Sequence, residues 1–200
     1  PLRDALTEAI SLKLLELSPL GEGYMPIGKM IDEKSFVNAI VGLLATGGST
    51  NHTIHLIAMA RSCGITLTWD DFDALSSIVP LLCRMYPNGS ADVNHFHSAG
   101  GMAVVIRELL DAGLLHEDVN TVMGYGLKKY LKEPFLKDGK LMYKDSIETS
   151  ADTSVISSVK EPFDMQGGLR VLEGNVGRPV IKTSALKDDN RIIKAPAKVF

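Results

Sequence analysis

The chain has few cysteines, no long apolar run and little net charge, and each absence argues against a class of protein. Two cysteines among 200 residues cannot build a disulfide framework, so we expect a reducing compartment, the cytoplasm. No apolar run approaches the roughly 18 residues that cross a bilayer, and no signal-peptide pattern is present. The net charge of −3 gives no electrostatic reason to expect nucleic acid or an anionic membrane as a partner.

What is present is the composition of an ordinary globular protein. Hydrophobic residues make up 45% of the chain and charged residues 22%, close to the averages for folded domains. A chain of this length can build one good core, or one domain and part of another. No internal repeat or low-complexity segment interrupts it.

Hydrophobic periodicity predicts a helix-rich first part of the chain. Helices are predicted over Leu2–Leu17, Ser35–Ala45, Ser49–Ser62, from Thr68 onward, over Met102–Ala112 and over Gly124–Leu131. Short strands are predicted at Ile65–Leu67 and Ile78–Leu82. Asp71, three residues after Thr68, predicts a capping box at the start of the Thr68 helix.

The pattern changes after residue 131. Three short β-type runs follow a charged stretch, at Leu169–Leu172, Pro179–Ala185 and Arg191–Ile193. We therefore expect an α/β fold with a helix-rich N-terminal portion, followed by the first strands of an all-β, barrel-like C-terminal domain. The expected divisions are residues 1–131 for the helix-rich domain, 132–163 for a linker or insertion, and 164–200 for the start of the β domain.

The segment Ala45–His52 lies between two predicted helices and contains the pair Gly47-Gly48. Ser49, Thr50, Asn51 and His52 follow the pair, at the start of the second helix. A helix N-terminus presents unpaired N–H groups and partial positive charge, which favour anions and hydroxylated ligands. Two interpretations stay open: Ser49 or Thr50 caps the helix, or these four residues face a ligand.

A second pair, Gly100-Gly101, also precedes a predicted helix. It lacks the G-x-G-x-x-G spacing of dinucleotide-binding loops. Close packing of this helix against a neighbouring backbone is the favoured interpretation. The alternative is that its N-terminus faces the same cleft as Ser49 to His52 and offers a second anion site.

Neither the cysteines nor the histidines have the spacing of a metal site. Cys63 and Cys83 are twenty residues apart, and iron–sulfur clusters use three or four thiolates, so packing is the favoured role of both. Apart from His52, the histidines are expected to be interior or hydrogen-bonded: His55, His95, His97 and His116.

The segment Ala45–Leu56, which reads ATGGSTNHTIHL, resembles a signature of the dihydroxy-acid dehydratase and 6-phosphogluconate dehydratase family. Further segments match that family in the same order: Pro87–Gly89, Asp92–Phe96, Ala99–Met102, Arg107–Leu115, Gly167–Asn175 and Ala195–Phe200. His52, the NHFH segment and Glu133–Leu136 are similar to its 6-phosphogluconate branch, and this similarity gives His52 a substrate-facing role.

The resemblance implies a hydro-lyase that converts 6-phospho-D-gluconate into 2-dehydro-3-deoxy-6-phosphogluconate, a step of the Entner–Doudoroff pathway. It implies an iron–sulfur cluster of the 4Fe-4S type, whose iron acts as a Lewis acid on the C3 hydroxyl, and magnesium. Family members are several times longer than this chain, so we expect the cluster ligands and the base outside it, and no activity from the chain alone. The implied partners are a small phosphorylated sugar acid and a second copy in a homodimer.

Two other functions stay open at this point. The first is dehydration of another sugar acid or dihydroxy acid within the same family. The second belongs to a different class, in which this chain is a structural or dimer-interface segment without ligand contacts. Within the chain, Ser49, Thr50, Asn51 and His52 are the expected substrate-binding residues, and no residue is assigned as a catalytic acid or base.

Overall fold

Helices come first and strand pairs last along the part of the chain that the computed structural model describes, residues 1–175, 177–186, 192, 194–196 and 198. The α-helices are α1 (Leu2–Leu17), α2 (Ile27–Met30), α3 (Glu33–Ala45), α4 (Thr50–Ser62), α5 (Trp69–Ser76), α6 (Val93–Ser98) and α7 (Gly101–Asp111). The strands are β1 (Asn120–Thr121), β2 (Gly124–Tyr125), β3 (Lys132–Lys137), β4 (Lys140–Asp145), β5 (Arg170–Val171) and β6 (Val180–Ile181). They pair antiparallel as β1–β2, β3–β4 and β5–β6.

Side-chain caps start the two helices that pack most closely together in the core. Asp32 caps α3, where its carboxylate accepts from the Ser35 N–H at 2.8 Å. The predicted capping box of α5 is present, since the Asp71 carboxylate accepts from the Thr68 N–H at 2.7 Å and from its hydroxyl at 2.8 Å. Such caps satisfy N–H groups that have no partner within the helix.

The core lies between α3, α5, α7 and an extended segment at residues 79–83. Four side chains that are fully buried or nearly so represent these elements: Leu44, Phe72, Leu109 and Leu82. Ile156 and Leu169 from the later part of the chain complete the same cluster. The cluster therefore joins residues that are up to about 130 positions apart in the sequence, from Ile40 to Leu169.

The extended segment at residues 81–84 is hydrogen-bonded on two sides. Towards α3, the N–H groups of Leu82 and Cys83 both donate to the Ala45 carbonyl, at 2.7 and 3.2 Å. On the other side, Ser157 N–H donates to the Leu82 carbonyl at 2.8 Å, and Arg84 N–H donates to the Val155 carbonyl at 2.9 Å. This segment ties the end of α3 to the chain after residue 154.

The expectation of an α/β fold with a helix-rich N-terminal portion is confirmed. Helix α1 has the predicted bounds, and α3, α4 and α7 begin within two residues of theirs. At the C-terminal end β5 and β6 form one small antiparallel pair, and the described residues contain no closed barrel. The predicted run Arg191–Ile193 lies outside the described residues except for Ile192.

Two predicted strands are not formed. Residues 65–67 are an irregular connection into α5. The strand predicted at Ile78–Leu82 is displaced toward the C-terminus, where isolated bridges join Leu81 to Asp164 and Cys83 to Ile156. Pro80, which cannot donate to a ladder, precedes the first bridge, so pairing begins only after it.

The stretch after α7 differs most from the sequence prediction. The helix predicted at Gly124–Leu131 is instead strand β2 followed by a 3₁₀ turn at Leu127–Leu131. No strand was predicted within 132–163, yet the longest strands, β3 and β4, form there. Their two-residue connection is Asp138-Gly139, with φ of 51° and 74°, the positive values that a tight hairpin turn requires.

Helix α5 holds the C-terminal strand pair against the helices. The Asp73 carboxylate accepts from the Val171 N–H at 2.9 Å and lies 3.0 Å from Nε of Arg170. Nearby, the Ser76 hydroxyl donates to the buried Leu169 carbonyl. Among the described residues no helix is both long and apolar enough to cross a membrane.

Replacing Asp73 by alanine is expected to lower the free energy of unfolding by about 2 kcal/mol, because a charged acceptor is lost from a half-buried pair. Urea denaturation followed by fluorescence of Trp69, the single tryptophan, measures the change. Asp111→Ala is the matched control, since Asp111 is exposed and its side chain has no partner in the described chain. Equal urea midpoints for Asp73→Ala and Asp111→Ala would show that the contacts of Asp73 do not stabilise the fold.

Candidate functional site

The predicted site residues lie at the start of α4. Ser49 is the N-cap, and its hydroxyl accepts from the Asn51 N–H at 3.2 Å. The capping interpretation of Ser49 is therefore confirmed. Thr50, the first residue of α4, is half-buried, while Asn51 and His52 are exposed. No hydrogen bond joins the side chains of these last three residues to the described chain, which leaves their polar groups available to a ligand.

The preceding loop packs against a distant turn. The Gly47 carbonyl accepts from Nδ2 of Asn88 at 2.7 Å, and the Ser184 hydroxyl donates to Oδ1 of Asn88 at 3.1 Å. Gly47 has φ of +60°, and a Cβ at this position would overlap the Asn88 amide. Only glycine meets both conditions without strain.

The pair Gly167-Gly168 also takes part in this contact. Gly168 N–H donates to the Leu44 carbonyl at 3.3 Å, and Ser184 N–H donates to the Gly168 carbonyl at 3.3 Å. A Cβ on Gly168 would lie 3.0 Å from the Gly47 Cα. We name the set Gly47, Asn88, Gly168 and Ser184 the glycine junction. It brings three of the segments that carry the family resemblance into one place.

A polar cleft of about 1070 Å³ opens beside the glycine junction. Asn88 and Ser184 belong to both. The hydroxyl groups that line the cleft come from Tyr86, Ser90, Ser154, Thr183 and Ser184. Among the described lining residues, Arg84 is the one basic side chain and Asp164 the one carboxylate. The volume suits a small-molecule ligand.

Arg84 and Asp164 do not pair with each other. The Arg84 guanidinium carbon lies 4.4 Å from the centre of the Phe163 ring, a cation–π contact. Its N–H groups make no hydrogen bond or ion pair with the described chain. Oδ1 of Asp164 accepts from the Gln166 N–H at 3.0 Å. The cleft thus contains an oriented cation without a counter-ion. Nothing in the local sequence pattern singled out this residue.

The predicted residues Ser49, Thr50, Asn51 and His52 are not among the described residues that line this cleft. The structure connects them to it through Gly47, whose carbonyl is bound by Asn88. The start of α4 and the cleft are therefore separate polar surfaces, and the bond between Gly47 and Asn88 links the segments that form them.

The pair Gly100-Gly101 serves packing. A Cβ on Gly100 would overlap the Val104 side chain and lie 3.0 Å from Cδ1 of Ile147. Close packing at Gly100 is therefore present, but the neighbours are side chains and not the backbone that was predicted. The two glycines line a separate cavity of about 570 Å³ with Lys132. The alternative interpretation, a cleft shared with Ser49 to His52, is wrong for the described residues.

The histidines are exposed, so an interior role is wrong for them. The hydrogen-bonding alternative holds for His95, whose Nδ1 lies 2.9 Å from Oδ1 of Asp92. The same Nδ1 accepts from the Asp92 N–H at 3.3 Å and so completes a capping box on α6. Here the His95 backbone N–H, which donates to the Asp92 carboxylate, is the main reason that the pKa of Asp92 lies below its usual value.

The cysteines do not fit an iron–sulfur cluster. Cys83 is fully buried, and burial raises the pKa of its thiol to about 12, which opposes the thiolate form that binds metal. Cys63 follows α4 and is exposed, so packing, expected for both cysteines, describes Cys83 alone. Within the described residues no group of three or more His, Cys, Asp or Glu side chains is arranged to hold a metal ion.

Two family comparisons cover most of the chain. Residues 1–130 match the family described as dihydroxy-acid/6-phosphogluconate dehydratase N-terminal. Residues 154–200 match the family described as dihydroxy-acid/6-phosphogluconate dehydratase C-terminal. The stretch between the two matches contains the whole β3–β4 hairpin.

Curated relatives give the same family. The chain is 58% identical over 200 residues to a phosphogluconate dehydratase of Escherichia coli K12 and 51% identical to one of Pseudomonas aeruginosa. It covers 33% of each of these proteins, so it spans a third of their length. It is 38% identical over 173 residues, 86% of the chain, to a dihydroxy-acid dehydratase of Prochlorococcus marinus, of which it covers 29%.

We expect Asn88→Ala to lower the free energy of unfolding by about 1–3 kcal/mol, because the buried Gly47 carbonyl loses its donor. The measurement is a urea titration. Asn51→Ala is the control, because Asn51 is exposed and unbonded and its replacement should change stability by less than about 0.5 kcal/mol. An unchanged midpoint for Asn88→Ala would show that the glycine junction does not stabilise the fold.

Thiol titration of the folded chain at pH 8 should detect one fast-reacting cysteine, Cys63. Cys83 should react only after denaturation, since a buried thiol with a raised pKa stays protonated at this pH. Cys63→Ser should abolish the fast phase and Cys83→Ser should leave it intact. Two fast thiols in the folded wild-type chain would mean that Cys83 is not buried.

Proposed function

Since the chain belongs to the dihydroxy-acid/6-phosphogluconate dehydratase family, we propose that its full-length protein is a hydro-lyase acting on 6-phospho-D-gluconate. The product is 2-dehydro-3-deoxy-6-phosphogluconate. The observation that carries this proposal is identity: 51–58% to phosphogluconate dehydratases over the whole chain, against 38% over 173 residues to a dihydroxy-acid dehydratase. The substrate places the reaction in the Entner–Doudoroff pathway.

The reaction removes one water and changes no oxidation state overall. A base takes the proton from C2, the C2–H electrons form a C2–C3 double bond, and the C3 hydroxyl leaves. The resulting enol takes up a proton at C3, loses the proton of its C2 hydroxyl and becomes the 2-keto acid. This chain supplies neither a group assigned as that base nor cysteines that fit a cluster. We propose that the 4Fe-4S cluster and the magnesium implied by the resemblance are held by residues outside it.

The part of this chain in the reaction is to bind the substrate. The substrate carries a carboxylate and a phosphate, and both need hydrogen-bond donors. We propose that Ser49, Thr50, Asn51 and His52 contact it. In support, Asn51 and His52 are exposed with unbonded side chains at the N-terminus of α4, where partial positive charge favours anions.

The proposal extends to assembly and compartment. We propose a homodimer, in keeping with the resemblance. We propose the cytoplasm because two cysteines among 200 residues fit a reducing compartment. Sedimentation of the full-length protein tests the first statement, and fractionation of the source cells tests the second.

Full-length protein purified without oxygen should form 2-keto acid from 6-phosphogluconate. It should do so with a higher kcat/KM than from gluconate or from a branched 2,3-dihydroxy acid. Colorimetric trapping of the keto group measures all three reactions. A preference for the branched acid would assign the protein to the other branch of the family. This 200-residue chain alone, assayed after reconstitution with iron and sulfide, should be inactive.

Asn51→Ala in the full-length protein separates a binding role from a structural role. We expect kcat/KM for 6-phosphogluconate to fall at least about tenfold, the effect of losing one hydrogen bond to a charged group. Sedimentation and melting temperature should not change. Ser62→Ala, at the opposite end of α4, is the control and should retain full activity. Lost assembly with intact chemistry would instead support an interface role for this helix.

A further inference from the structure

The cleft beside the glycine junction contains an anion-binding group that has no anion within the described chain. Arg84 lines this cleft of about 1070 Å³, and no other basic side chain does so among the described residues. Its guanidinium forms no ion pair with Asp164, the carboxylate in the same cleft. Arg84 is exposed to solvent within the cleft, so a ligand that enters can reach its guanidinium, and a guanidinium suits bidentate recognition of phosphate or carboxylate.

The position of Arg84 is set by the core on one side and by an aromatic ring on the other. The backbone N–H of Arg84 donates to the Val155 carbonyl at 2.9 Å, and its neighbour Cys83 is fully buried. The guanidinium lies over the Phe163 ring at 4.4 Å. This contact restrains the side chain while leaving the N–H groups at the edge of the guanidinium free to donate. Less side-chain freedom is then lost when a ligand binds.

The remaining polar groups of the cleft suit a phosphate ester. Ser90 and Thr183 line the cleft, and hydroxyl donors commonly supplement a guanidinium around phosphate oxygens. The Ser154 hydroxyl also belongs to the lining residues, but it already donates to Oδ1 of Asp152 at 2.6 Å. A phosphate monoester carries up to two negative charges and matches the planar fork of a guanidinium with two parallel hydrogen bonds. A phosphate needs a positive charge nearby, and Arg84 is the one described lining residue that supplies it.

We propose that Arg84 binds the phosphate group of the substrate and selects phosphorylated over unphosphorylated sugar acids. This proposal rests on the proposed function, because it takes 6-phosphogluconate as the substrate. It places the phosphate in the cleft on the Asn88 side of the glycine junction. Arg84 is a specificity-determining residue in this role and takes no part in proton transfer.

The test uses the full-length protein and two ligands that differ only by the phosphate. Arg84→Gln removes the charge, and Arg84→Lys keeps the charge without the fork. Calorimetry should show 6-phosphogluconate binding weakened at least about tenfold by Arg84→Gln and by a smaller factor by Arg84→Lys. Turnover of gluconate, the unphosphorylated acid, should keep its kcat/KM in both variants.

The matched control is Arg61→Gln, which removes one exposed arginine from the last turn of α4, away from the cleft. It should leave 6-phosphogluconate binding within twofold of the wild type. Melting temperatures of all variants establish that they fold, and Arg84→Lys provides the test should Arg84→Gln fail to do so. Inorganic phosphate should inhibit the wild type competitively and inhibit Arg84→Gln more weakly.

Two outcomes would overturn the assignment. Unchanged 6-phosphogluconate binding in Arg84→Gln would show that Arg84 is not a ligand contact. An equal loss with gluconate and 6-phosphogluconate would show that it serves the shared part of the two molecules. A wild-type protein that binds 6-phosphogluconate through Arg84 without dehydrating it would support the phosphate site but refute the proposed function.

Discussion

The backbone hydrogen bonds of residues 81–84 are the constraint on which the rest of the structure depends. This segment, buried at residues 81–83, lies between the end of α3 and the chain after residue 154, and it bonds to both. Phe163 N–H donates to the Leu81 carbonyl at 3.0 Å, and Leu81 N–H donates to the Asp164 carbonyl at 2.9 Å. Because buried backbone groups must be paired, each of these bonds is costly to break. The segment therefore determines where α3 ends and where Phe163 lies.

Both polar surfaces follow from that arrangement. The end of α3 leads directly into Gly47, so the position of α4 depends on the Ala45 carbonyl bonding to residues 82 and 83. On the other side, the paired backbones of 81–84 and 155–164 place Arg84 over Phe163. The glycine junction connects the two surfaces, and its small residues let three chain segments approach within contact of one another.

Local sequence signals predicted the helices well and the strands poorly. The bounds of α1 and the Thr68–Asp71 capping box depend on neighbours within a few residues, and both are confirmed. The β3–β4 hairpin was missed although Asp138-Gly139 is a strong turn signal. Its flanking strands are charged and contain Pro134, which weakened the alternating pattern. The displaced strand near residue 80 was misplaced because its partners, Ile156 and Asp164, are distant in sequence.

The sequence by itself determined α1, α3, α4, α5 and α7, the capping role available to Ser49, and the family, because each depends on residue types at short fixed spacings. It did not predict the short helices α2 and α6. Only the tertiary structure decided that Cys83 is buried while Cys63 is exposed. It also decided that Ser49 to His52 lie apart from the polar cleft and that Arg84 lies within it. The physical reason is that burial and side-chain pairing are set by contacts between segments far apart in the chain. No local pattern encodes which carbonyl Asn88 binds or which ring lies beneath Arg84.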